Sequence, residues 1–561
     1  MSSKSRWTLV SFGTCATMVL GLTLTSCKTT APPSSSQTLA TDSLPESATI
    51  TPNLCAAVRG NGNYIFTHFA ALARIVEQYG IIDAAAGGSS ASISIFAYES
   101  ILMNPVLNTC GEGTCTDRDR ALRVALLLKS LRGYFDFIAT TDEALAFRQL
   151  APIVQKVREQ RIAEIAETDI AAASRALQRI LSSRDLRDIV NPEVLEQLQR
   201  TENQEFHVNE VIAGIQNIGT WSLNTDRVFF RPGILNFRAI AGKLGRVGSF
   251  YAGYGPADNE AMSAFLDECA PAAAGKSWAA IAGSAEAPTS CGRKYFQLLG
   301  AWRTKLLDDE EAYKSRIDDP VGKLLPAFIA TSVLNGPQAV GAWQAAMTRY
   351  RAGQEPNLQL NFADVKFGYW GRKSDLSRVG ANPQQFNDAK TARFLALGPA
   401  SWREALTYSP AEPGLSRSLE INSNQISAGG WPDLAPTLVL KNLGCRNTIY
   451  VTRQGAESEF TKQVARQLDM TPAQERELYE ISPLSPNLWS GFQTSVRAAD
   501  AVWCTNWNSF TDAQITEMAD ESYAPLVVTA SPFFKDGPSA YPRITPTGPV
   551  GCHVGAGTAL R

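Results

Sequence analysis

From residue 54 onward the chain alternates between two hydrophobic periods. Leu54 to Val58 is a short apolar run, followed by the polar stretch Arg59-Gly60-Asn61-Gly62-Asn63. In residues 64 to 79, YIFTHFAALARIVEQY, the apolar groups Ile65, Phe69, Leu72, Ile75 and Val76 recur at helical spacing. Gly80 stands where a helix stop is expected. Residues 81 to 86 predict a short buried strand, and 91 to 103 a second helix. The order strand, loop, helix, strand, Gly-Ser turn, helix predicts an α/β domain with a parallel sheet. Residues 118 to 205 are charged, Ala/Leu-rich and helix-periodic, and read as a helical insertion; 206 to 300 are mixed. Strands are expected at 324 to 336, 364 to 371 and 447 to 455, and a helix at 401 to 414, capped by Ser401 and ended by a Pro-Gly turn. A C-terminal extension, 456 to 561, holds helices and one strand, APLVVTA. No internal repeat is visible.

The first 53 residues follow neither period. Lys4 and Arg6 precede an apolar, Thr-rich core, which ends in Leu24-Thr25-Ser26-Cys27. This arrangement is that of a bacterial lipoprotein signal, and it predicts removal of residues 1 to 26 and acylation of the Cys27 thiol. An ordinary signal peptide with a chance cysteine is the alternative. Lys28 after the cysteine favours an outer-membrane lipoprotein, held by an acyl anchor without spanning the bilayer. Residues 28 to 53, rich in Ser, Thr and Pro, bury too little to offset their ordering entropy and read as a tether.

Charge narrows the function classes. The 52 basic and 54 acidic residues leave a net charge of −2, so there is no electrostatic footprint for nucleic acid. Of the 10 cysteines, Cys15 and Cys27 lie in the leader. The others, an even set in an exported chain, suggest disulfides. Cys110 with Cys115 and Cys269 with Cys291 are the pairs nearest in sequence. No Cys-x-x-Cys occurs, and His68, His207 and His553 are scattered, so no metal is expected. Nor is any other cofactor.

The segment GGSSAS, Gly87 to Ser92, carries the candidate chemistry. A serine hydroxyl becomes a nucleophile when a base lies within reach and donors await the oxyanion. A sharp strand-to-helix turn with small neighbours presents such a hydroxyl above a sheet. Gly88-Ser89-Ser90-Ala91-Ser92 follows the pattern Gly-x-Ser-x-Gly around Ser90, with Gly88 as one flank and Ser92 in place of the closing glycine. Taken alone, it equally fits an ordinary Gly/Ser turn.

The surroundings add a colinear set of matches, over residues 54 to 455. Arg59-Gly60 stands in the first loop, and His68-Phe69-Ala70-Ala71-Leu72 opens the following helix. Ile81 to Ser92 fills the place of an aliphatic strand entering the elbow. Pro326, Ala330, Thr331 and Gly336 follow a Pro-Ala-Thr-Gly strand pattern. Trp402, Ala405, Ser409, Pro413 and Gly414 fit Trp-x-x-Ala through Ser to Pro-Gly. Ala428-Gly429-Gly430 and Asp433-Leu434-Ala435-Pro436 precede Leu443-Gly444 and the strand Ile449-Tyr450-Val451. In this order the chain resembles the patatin-like phospholipase family. The resemblance implies a three-layer α/β/α sandwich with a mainly parallel sheet and helical insertions. It also implies a lipid acyl hydrolase using a Ser-Asp dyad, with a lipid as substrate or ligand.

The chain departs from that family at chemically decisive places. The family's dyad Asp is Ala428 here, and a methyl group cannot accept a proton. Asp433, on the same loop, either orders the turn or reaches Ser90 as a displaced base. The glycines before Arg-Gly are Cys55-Ala56-Ala57, so oxyanion donors would come from Gly60, Asn61 and Gly62 in a shifted register. Arg59 braces that loop or is a solvated charge. His68 reads as a helix residue packed near the loop, and Asp83 as a surface or strand-end residue. The alternative to a hydrolase is a catalytically impaired member that binds a lipid or protein partner, and a plain structural envelope lipoprotein is a third reading.

Overall fold

A computed structural model describes residues 51–60, 65–111, 113–138, 164, 166–182, 188–189, 192, 236–282, 290–308, 315–334, 365–381, 394–411, 419–421, 424–427, 436–454, 498–506, 526–529, 531–534, 544–547 and 551–554. Residues 1–50, with Cys27, and Asn61, Gly62, Ala428 and Asp433, lie outside the described residues.

The strands are β1 (Leu54–Val58), β2 (Ala84–Gly88), the short pair β3 (Thr109–Cys110) and β4 (Gly113–Thr114), β5 (Ala327–Leu334), β6 (Val365–Trp370), β7 (Phe394–Gly398), β8 (Leu419–Ile421), β9 (Asn424–Ser427), β10 (Asn447–Gln454), β11 (Ala501–Asn506), β12 (Leu526–Thr529), β13 (Ile544–Thr547) and β14 (Gly551–Val554). The main sheet runs β12-β11-β10-β1-β2-β5-β6-β7, with β9 also paired to β5 and β8 to β9. From β11 through β10, β1 and β2 to β5 every pairing is parallel. β12, β6 and β9 join antiparallel.

Helices cover both faces because the central strands are apolar on both. Along β1, Leu54, Ala56 and Val58 enter one core, while Cys55 and Ala57 enter the other. In β5, Ala327 and Ile329 face the first core, and Phe328 and Ala330 the second. Such two-sided burial is what parallel strands require. The first core is covered by α1 (Ile65–Tyr79), α2 (Ser90–Leu102), α3 (Asp117–Ile138) and, beyond α4 (Glu167–Ser182), by α5 (Phe237–Tyr251), α6 (Pro256–Ala273), α7 (Trp278–Ala282) and α8 (Cys291–Asp308). The second is covered by α9 (Lys373–Gly380) and, past α10 (Trp402–Tyr408) on the first face, by α11 (Pro436–Leu443). The chain is therefore a mixed α/β protein with a mostly parallel sheet.

Several local expectations meet a specific physical answer. Gly80 takes φ 98° after α1, the left-handed stop that glycine adopts without strain. Ser401 caps α10 in a reciprocal capping box with Glu404. The second strand begins at Ala84 rather than Ile81. Asp83 accepts the N–H groups of Asn53 (2.8 Å) and Leu54 (3.1 Å), and the Tyr98 hydroxyl holds the backbone of Ile82 at 2.7 and 3.1 Å. Asp83 thus pins the entry of β1. The segment expected to start a helical insertion starts instead with core: Val124, Ala125, Leu126, Leu127 and Leu128 of α3 are fully buried. The described part of the mixed region and its continuation, from Phe237 to Asp308, is built of the helices α5 to α8 and short turns.

Disulfides join Cys110 to Cys115 and Cys269 to Cys291, the two pairs expected from proximity. A third joins Cys55 in β1 to Cys445 before β10, across 390 residues of sequence. Among the described residues no helix is long and apolar enough to cross a membrane.

One buried ion pair makes stability depend on pH. Lys129 of α3 pairs with Glu77 of α1 and donates to the Ala273 carbonyl at 2.9 Å. Burial pulls the ammonium down to about 8 despite the Glu77 carboxylate beside it. A base whose pKa is lower folded than unfolded penalises the fold while charged, and the penalty fades as pH rises from the folded toward the unfolded value. The stability of the wild type relative to Lys129→Gln is expected to rise between pH 8 and 10, measured by urea denaturation. A flat difference would contradict this assignment.

Candidate active site

The site is built where β2 hands over to α2. β2 reads AAAGG and every residue is buried. A Cβ on Gly87 would strike the Val58 carbonyl oxygen and come within 2.8 Å of the Ala91 methyl. Only glycine fits there, between the neighbouring strand and the first turn of the helix. Ser89 then takes φ 53°, ψ −129°, and it is the sole non-glycine residue with positive φ among the described residues. Such a backbone costs about 1–3 kcal/mol and persists only where surrounding structure imposes it.

This geometry moves the expected elbow by one residue. Ser90 is not at the apex of the turn: it is the first residue of α2. The small flanks two positions either side of the strained residue are Gly87 and Ala91, not Gly88 and Ser92. Gly88 is the last residue of β2, paired with Ala330. Ser92 has another task. Its N–H (3.0 Å) and its hydroxyl (2.6 Å) both donate to the Ser89 carbonyl.

α2 is buried along its whole length, so its polar side chains are answered from within. Ser94 donates its one hydroxyl proton to the Ser90 carbonyl at 3.3 Å. Nδ1 of His68, on α1, shares a 3.0 Å hydrogen bond with the Ser94 hydroxyl. His68 is fully buried and ties α1 to the elbow helix. Ser89 itself is 4% exposed.

Deeper in α2 lies a buried charged network. Glu99 is the one carboxylate between Ala84 and Leu102, a span with no Lys, Arg or His. Its carboxylate receives the Arg316 guanidinium at 2.6 Å, the Trp402 indole N–H at 2.8 Å and the Leu324 N–H at 2.8 Å. Arg316 also reaches Asp319 at 3.1 Å and lies over the Phe96 ring. Burial opposes ionisation of Asp319, but the donors Lys323 and Tyr254 and the Arg316 charge outweigh it and hold its carboxyl below the usual range. Sequence reasoning had missed this network, although a single carboxylate in an otherwise uncharged helix is a legible signal for a buried partner.

Two further segments reach the same end of the sheet. After β1, Arg59 is buried and its N–H bonds the Val451 carbonyl at 3.1 Å; it is not a solvated loop charge. Gly60 follows it, and Asn61 and Gly62 lie outside the described residues. On the other side, β9 runs antiparallel to β5 and ends at Ser427, opposite Ser332. Ser332 stands two residues beyond Ala330, the partner of Gly88. The chain is thus delivered to the neighbourhood of the elbow immediately before Ala428, and Ala428 and Asp433 are both outside the described residues. Among the described residues no cluster of His, Cys, Asp and Glu could hold a metal ion.

Comparison of the sequence with protein-family models and with curated proteins, and of the fold with solved structures, finds no match.

Proposed function

We propose that this chain is a serine acyl hydrolase acting on carboxylic esters of lipids, on a patatin-like three-layer fold, with Ser89 as its nucleophile. The observation that carries the reading is the strained backbone of Ser89 between β2 and α2, with Gly87 and Ala91 closing the turn. A serine held in this way at a strand-to-helix junction is presented for attack. The Ser90 N–H, beside the nucleophile, and the backbone around Gly60, Asn61 and Gly62 hold the oxyanion, with Arg59 bracing the loop. Asp433 takes the serine proton in place of the carboxylate missing at Ala428. The lipid substrate class is supported by the order of motifs from Arg59-Gly60 to Leu443-Gly444 and by the lipobox ending at Cys27, which would hold the protein at the outer membrane.

A second reading has its own observation. Ala428 removes the family's base, so the protein would retain the elbow and bind a lipid or partner without turnover. Fluorophosphonate labelling and p-nitrophenyl ester hydrolysis test the first reading. Ser89→Ala is expected to lower both by about 10³-fold or more, while Ser90→Ala keeps most of the activity because only its backbone is used. Activity that survives Ser89→Ala would overturn the assignment.

A further inference from the structure

We propose that Ser409 is a positioning residue that locks the elbow in its strained conformation; this rests on the reading of Ser89 as the nucleophile. Ser409 is fully buried and lies 320 residues from Ser89 in sequence. Its hydroxyl accepts the Ser89 N–H at 3.0 Å and donates to the Ala330 carbonyl at 2.7 Å. Ala330 is the residue of β5 that pairs with Gly88, so the latch fastens the apex to the strand beside it. Ser92 holds the Ser89 carbonyl from the opposite side. Both backbone polar groups of the strained residue are therefore held by buried serine hydroxyls.

The latch is part of a longer splint. Ser409 ends α10, and Trp402 begins it, two helical turns away. Trp402 donates to Glu99 and meets Phe96 edge to face at 5.2 Å between centroids. α10 thus grips α2 near both ends, through Trp402 at Glu99 and through Ser409 at the elbow. The spacing from Trp402 through Ala405 to Ser409 serves this grip: Trp402, Ala405 and Ser409 are all fully buried on one face. A latch acting on the nucleophile's backbone changes the orientation of its hydroxyl, not the surface that binds the acyl chain.

Two measurements on Ser409→Ala test this. The fluorophosphonate labelling rate at saturating reagent is expected to fall about 100-fold with half-saturation unchanged, and Ser409→Thr, which keeps the hydroxyl, restores it. A change in half-saturation alone would overturn the positioning role. The second readout needs no activity. Glycine takes the elbow conformation without strain, so the loss of melting temperature from Ser409→Ala should be smaller in a Ser89→Gly background than in the wild type. Equal losses in the two backgrounds would overturn the latch. If wild-type Ser89 proves unreactive, the hydrolase reading falls, and this thermal cycle still decides the latch.

Discussion

Replacing Glu99 by alanine is expected to destabilise the protein by about 3–5 kcal/mol, the cost of leaving a buried charge without its partner. Arg316 is fully buried and sits between Glu99 and Asp319. Without Glu99, its guanidinium keeps only one carboxylate, and the Trp402 and Leu324 N–H groups lose their acceptor. Arg316→Ala should cost a similar amount, since Glu99 would then face two neutral donors and no cation. The double variant should cost less than the sum, because the second substitution removes the charge stranded by the first. The check is urea denaturation of all three variants. Additive losses, or single losses below about 1 kcal/mol, would show that the pair is solvated and that α2 is not anchored through it.

Ala428→Asp is expected to raise the fluorophosphonate labelling and ester hydrolysis rates by about 10²–10⁴-fold, the usual contribution of a positioned general base. The path of β9 supports this, since Ser427 reaches the level of Ser332 on β5, close to the residue that flanks the elbow. A carboxylate one residue later falls where the family resemblance puts the dyad partner of the serine. The gain separates two states of the native protein. A large gain from a slow but measurable wild-type rate means that Asp433 is a weak substitute, and Asp433→Ala should then abolish the wild-type rate. A gain from no detectable rate supports the impaired reading. No gain would mean that position 428 does not face Ser89.

Much of the fold could be read from local pattern, because its elements are set by local physics. Gly80 ends a helix through its left-handed φ, and Ser401 starts one through its capping box. The strands β1, β5, β6 and β10 fall within the apolar runs expected to form them. The elbow was legible as a place but not in register. GGSSAS supports two phases, one centred on Ser90 between Gly88 and Ser92, the other on Ser89 between Gly87 and Ala91. Only a tertiary contact decides between them: position 87 lies against the backbone of Val58, on the neighbouring strand, where no side chain fits. The same holds for the Ser409 latch and the Cys55–Cys445 disulfide, whose partners are separated by 320 and 390 residues. Spacing along the chain cannot encode such meetings.

The most direct test of the central claim is to treat the purified protein with a fluorophosphonate, digest it, and locate the adduct by tandem mass spectrometry. The adduct is expected on Ser89, with Ser90, Ser92 and Ser94 unmodified. An adduct on Ser90 or another serine, with Ser89 untouched, would contradict the account, as would the absence of any adduct in both the wild type and Ala428→Asp.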